Sequence, residues 1–130
     1  MFVDASALLA VLLKEPDGKR FSRAMESADS LFTSPIAVFE IVCAIMRVRT
    51  CSRREAQHAA DRALHVAGIA TVPITREIGE LALEAFEKYG KGSGYKAQLN
   101  MGDCFAYACA KSLGLALLYK GNDFAATDLA

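Results

Sequence analysis

The chain contains no tryptophan, only three prolines and only two histidines. It also has no excess of either charge, with 15 Lys+Arg against 15 Asp+Glu. A balanced chain has no long-range field that draws it to nucleic acid, so any attraction to phosphate must come from a local patch or a bound cation. His58 and His65 stand seven apart with no acidic or cysteine ligand pattern around them, and they read as surface or packing residues. The four cysteines, Cys43, Cys51, Cys104 and Cys109, form no CxxC pair. Zinc and a disulfide framework are therefore disfavoured, and reduced, buried thiols are expected. No apolar run is long enough to span a bilayer, and the run Ala7 to Leu13 lacks a basic leader. The expectation is a cytoplasmic protein.

What is abundant is apolar residues, at 53%. The 130 residues suffice for one domain, 1–130, with a real core. Short apolar stretches at Met1–Val3, Ser30–Thr33, Ile69–Ile74 and Ala116–Tyr119 read as strands. Helical segments separate them. Ser34-Pro35 suits a helix start, Ser52-Arg53-Arg54-Glu55 matches a capping box, and Thr75 caps a helix reaching Tyr89. Pro73 puts the third strand at an edge or ends it there. Strands alternating with helices predict an α/β fold: a three-layer α/β/α sandwich around a mostly parallel sheet of four to five strands. Ligands of such sheets bind beyond the carboxyl ends of the strands.

Four acids stand at or near that edge or in apolar surroundings. Asp4 follows the first strand and Asp123 follows the last. Asp103 opens a helix. Glu40 is the only charge between Ile36 and Met46. Each has a plain alternative: Asp4 and Asp103 suit helix caps, Asp123 suits a turn, and Glu40 could pair with Arg47. A helix as apolar as the one around Glu40 should be buried, where an unpaired carboxylate is costly. Asp128 reads as a structural residue only. Carboxylates meeting at one point repel unless a cation sits among them, and hard oxygens select Mg²⁺ or Mn²⁺. Such an ion activates water and neutralises charge on a phosphate, which points to phosphodiester hydrolysis.

The segments Val3-Asp4-Ala5-Ser6-Ala7-Leu8, Ser34-Pro35 to Glu40, Asn100-Met101-Gly102-Asp103-Cys104-Phe105-Ala106 and Tyr119-Lys120-Gly121-Asn122-Asp123-Phe124 closely resemble the PIN domain, in particular the VapC-type toxins of toxin–antitoxin pairs. The resemblance implies a PIN-like fold and a Mg²⁺- or Mn²⁺-dependent endoribonuclease. It also implies a homodimer, an RNA substrate and a cognate VapB-type antitoxin. By matching position, Asp4 and Asp103 are the expected metal ligands, Glu40 and Asp123 complete the catalytic acids, and Ser6 and Asn122 support them. Asn122 departs from the pattern, because many relatives carry an acid or a hydroxyl there.

For RNA contact, Lys91 and Lys96 in the Gly-rich loop Gly90–Lys96 are the better candidates. Arg47, Arg49, Arg53 and Arg54 more simply face solvent. Phe21, Met25, Phe39 and Met46 could line an antitoxin groove, though each also suits the core. Two other functions fit less well. A haloacid-dehalogenase-like phosphatase needs a second Asp two residues after the first, where this chain has Ser6. A catalytically inactive PIN-like scaffold binding RNA or protein is the stronger alternative, and the presence of all four acids argues against it.

Overall fold

In the computed structural model, which describes residues 1–129, the elements follow the order β1 (Phe2–Val3), α1 (Ala5–Leu12), α2 (Gly18–Glu26), β2 (Leu31–Thr33), α3 (Pro35–Arg49), α4 (Arg53–Ala67), β3 (Ile69–Thr71), α5 (Arg76–Tyr89), α6 (Met101–Leu113) and β4 (Leu117–Leu118). The sheet has four strands in the order β3-β2-β1-β4. Every pairing is parallel, with Phe2 opposite Phe32 and Leu117, and Leu31 opposite Ile69. β3 lies at an edge, as Pro73 predicts.

Successive strand residues point to opposite faces of a sheet, and the core divides accordingly. Val3, Leu31 and Ile69 belong to one apolar cluster with residues of α1, α2, α3 and α4. Phe2 belongs to the other, with residues of α5 and α6 and with Phe124. The sheet is thus covered on both sides. The helix starts follow the cap signals: Ser34, Ser52, Thr75 and Asn100 each accept a hydrogen bond from a first-turn backbone N–H. α4 and α6 end on Gly68 and Gly114 in left-handed conformation.

Beyond β4 the chain is pinned by Phe124, which is buried against Tyr119, and by Asp128. The Asp128 carboxylate accepts from Tyr107 Oη at 2.7 Å and pairs with Lys111 at 2.5 Å. These donors hold its pKa down at about 2, the Lys111 bond contributing most. The structural reading of Asp128 therefore stands.

Two expectations about burial are corrected. α3 is not buried all round, since Phe39, Cys43 and Val48 on it are exposed. It buries Ala37, Ile41, Ala44 and Ile45, with Val38, Val42 and Met46 partly buried beside them. The thiols divide likewise: Cys104 and Cys109 are buried, Cys51 is half-buried and Cys43 faces solvent. Apolar composition alone does not tell which helix face a neighbour covers.

Candidate active site

Asp4 is the first residue after central strand β1 and the N-cap of α1. Its backbone N–H donates to Leu118 O of β4, which fixes it at the carboxyl edge of the sheet. The side chain is 5% exposed. Ser6 donates to Asp4 Oδ2 twice, from its backbone N–H at 3.0 Å and from Oγ at 2.5 Å. Ser6 Oγ in turn accepts the backbone N–H of Lys120 at 3.0 Å. One hydroxyl thus ties the loop after β4 to the acid after β1.

Asp103 sits in the first turn of α6 within a reciprocal capping box. Its Oδ2 accepts the Asn100 N–H at 2.9 Å, and Asn100 Oδ1 accepts the Asp103 N–H at 3.0 Å. The capping readings of Asp4 and Asp103 are therefore correct, and they are compatible with a second role. In both residues the hydrogen bonds fall on Oδ2. Among the described residues Oδ1 of Asp103 has no donor.

A pocket of about 230 Å³ is lined by Asp4, Glu40, Asp103 and Asp123, together with Ser6, Asn100 and Lys120. Four acids, from the β1–α1 junction, α3, α6 and the segment after β4, thus border one space. Asp4, Glu40 and Asp103 all hold their protons more tightly than free carboxylic acids. Glu40 ionises only at about 7, chiefly because burial desolvates it, with Asp4 and Asp103 adding repulsion. Asp103 is pushed up to about 6, first by burial and then by Asp4 and Asp123. The Asp4 carboxyl is raised by burial, against the lowering effect of the Ser6 bonds. In all three, burial contributes more than the neighbouring carboxylates. Glu40 does not pair with Arg47; its carboxylate lies against Gly102 at the start of α6.

The remaining expected residues divide. Lys91 and Lys96 are both exposed, and Lys91 lies near enough to Asp103 to favour its charged form. Asn122 is exposed and does not line the pocket; its backbone carbonyl accepts the Ala125 N–H. Asn100 lines the pocket in its place. Its signal in the sequence was the Asn-Met-Gly-Asp cap pattern. Lys120 also borders the pocket, and its ion pairs lie more than a hundred positions away in sequence, beyond any local signal. Phe21 and Met25 are in the core and Met46 is half-buried, while Phe39 is 69% exposed.

The family model described as the PIN domain matches residues 1–129. The chain belongs to the PIN domain family. A VapC ribonuclease of Rhizobium meliloti (strain 1021) is 40% identical, with 98% of each chain covered. Ribonuclease VapC30 of Mycobacterium tuberculosis is 39% identical over 100% of this chain and 96% of its own, and ribonuclease VapC42 of the same organism is 37% identical over 99% and 96%. In fold the chain is similar to the crystal structure of M. tuberculosis VapC20, described as a sarcin-ricin loop cleaving toxin. The TM-score is 0.75 at 18% identity, covering 99% of this chain and 95% of that one. The α/β/α layers are thus those of a PIN domain.

The donor chemistry of the PIN-domain pocket suits a hard divalent ion: four carboxylates border one space, and Asp103 has an oxygen without a protein donor among the described residues. In this arrangement no three His, Cys, Asp or Glu side chains among the described residues are grouped closely enough to hold an ion.

Proposed function

We propose that this chain is a metal-dependent endoribonuclease, the toxin of a toxin–antitoxin pair, and that residues 1–130 act as one nuclease domain in the cytoplasm. The observation that supports this most is the meeting of Asp4, Glu40, Asp103 and Asp123 on a single pocket at the carboxyl edge of the sheet. The names of the relatives agree with ribonuclease activity. Asp4 and Asp103 would be the main holders of Mg²⁺ or Mn²⁺, which when bound would supply Lewis acidity toward the scissile phosphate and its attacking water.

The protein's own groups do the rest. Ser6 holds Asp4 Oδ2 and so orients the carboxylate. The Asn100 cap does the same for Asp103. Glu40 and Asp123 supply further negative charge at the rim, so that an ion and then a phosphate are favoured there. Lys91, beside Asp103, is the loop lysine that receives an RNA phosphate. Attack by water leaves a 5′-phosphate and a 3′-hydroxyl, since the ribose 2′-hydroxyl is not the nucleophile.

The partners in this reading are RNA, a VapB-type antitoxin and a second copy. A groove between α1, α2 and α4, lined by Leu8, Val11, Leu12, Met25 and Val66, suits an amphipathic antitoxin helix. Leu83, Phe86 and Met101 expose a second apolar surface on α5 and α6 that suits self-association.

The test is cleavage of a structured RNA by the purified chain with Mg²⁺, with Mn²⁺ and with chelator, followed by 5′-end mapping. Metal-dependent products with ligatable 5′-phosphates are expected, and none from Asp103→Asn. Cleavage that persists in chelator, or that leaves cyclic phosphates, would overturn the proposal.

A further inference from the structure

Among the described residues, Lys120 is the only basic one bordering the acid pocket. Yet among the described residues its ammonium makes no ion pair with Asp4, Glu40, Asp103 or Asp123. The ammonium is engaged elsewhere. It bonds Glu15 and, at 3.1 Å, Asp17, both in the turn between α1 and α2. The backbone N–H of the same residue donates to Ser6 Oγ, one hydroxyl away from Asp4.

The α1–α2 turn is a firm anchor. The Glu15 N–H donates to Ala10 O at 2.9 Å and the Gly18 N–H to Glu15 O at 2.9 Å. Position 18 packs so closely on α1 that a Cβ there would stand 2.5 Å from Ala10 O. On the other side of Asp123 the chain is held by buried Phe124. Asp123 itself is exposed, but its charge acts on both Asp4 and Asp103. The backbone bearing Asp123 is thus tied on one side through Lys120 and on the other through Phe124.

We propose that Lys120 is a positioning residue, whose bonds to Ser6, Glu15 and Asp17 clamp the turn before Asp123 and so hold that carboxylate at the metal pocket. The ion pairs are half-exposed and act through geometry more than through stability. The metal-binding consequence rests on the nuclease reading above; the clamp does not.

The test uses Lys120→Met, which keeps the stem and the backbone N–H, the double variant Glu15→Gln/Asp17→Asn, and Lys120→Arg. In metal-free protein, amide hydrogen exchange over residues 119–125 should quicken in the first two and return toward the parent rate in Lys120→Arg. Exchange in α5 should not change. Mn²⁺ titration by calorimetry should then show affinity about tenfold weaker or more in the first two, the usual cost of disturbing the outer shell of a metal site. Parent-like exchange in Lys120→Met would overturn the clamp. Faster exchange with unaltered Mn²⁺ affinity would overturn the positioning role. If the parent binds no Mn²⁺ at all, the metal-centre reading fails, and the exchange data still decide on the clamp.

Discussion

The Glu40 carboxylate occupies the space that a side chain at Gly102 would fill. A Cβ built at Gly102 would collide with Glu40 Oε1 and stand 2.7 Å from Glu40 Cδ. α3 and α6 therefore meet through an acid lying on a glycine, and the residue after that glycine is Asp103. The obstacle is the far end of a flexible side chain, so a larger residue at 102 would displace the acid and leave the backbone in place.

Gly102→Ala should thus separate stability from activity. Alanine is the better helix former by about 0.5 to 1 kcal/mol, so the thermal midpoint should hold or rise. Cleavage should fall about tenfold or more as Glu40 leaves the pocket. Melting curves and initial rates on the same preparation check both.

Asp4→Asn and Asp103→Asn should abolish metal-dependent cleavage while the fold persists, because an amide oxygen can still accept the cap bonds from Ser6 and Asn100. Asp4→Ala should in addition lose roughly 1 kcal/mol, the usual cost of removing an N-cap. Circular dichroism melts beside cleavage assays separate the two effects. Full activity in either purified Asn variant would contradict the assignment.

Stability of the metal-free protein should depend on pH in a way set by the pocket. Asp4, Glu40 and Asp103 all bind a proton more readily in the fold than in the open chain. Their protonation stabilises the fold at low pH, and that contribution is lost as pH rises through about 6 for Asp103 and about 7 for Glu40. Asp128 works in the opposite sense, its contribution disappearing as pH falls toward about 2. The melting temperature should therefore climb as pH is lowered from about 8 to about 5, then fall in stronger acid. Saturating Mn²⁺ should flatten the upper limb, since the ion takes the place of the protons.

Lys91→Glu should weaken RNA binding more than Lys96→Glu, because Lys91 lies close enough to influence Asp103. For every phosphate that a lysine no longer neutralises, the slope of log affinity against log salt should shrink by about 0.7. Filter binding of the cleavage-deficient Asp103→Asn background at several salt concentrations reads this directly.

Much of this protein was legible residue by residue. Cap signals at Ser34, Ser52 and Thr75 located three helix starts, and they are local because a side-chain oxygen reaches only the next turn. The alternation of short apolar strands with helices implied the parallel sheet, and it told which acids follow strands. Asp4, Glu40, Asp103 and Asp123 could be named because charge in apolar surroundings needs a reason. Exposure of Phe39 and Cys43 could not be read, since it depends on which face of α3 lacks a neighbour. Nor could the choice of Asn100 over Asn122 for the pocket, both being polar residues near an Asp.

The chain alone determined the kinds of elements, their caps and the set of candidate acids, because these depend on neighbours within a few positions. The tertiary structure alone decided which of them share a pocket, and that burial more than repulsion raises their affinity for protons. It also decided that Lys120 pairs with Glu15 and Asp17. Those outcomes follow from the strand order β3-β2-β1-β4, which sets the first strand of the chain beside the last. Pairings made across a hundred residues leave no periodicity behind, and only the folded backbone brings them together.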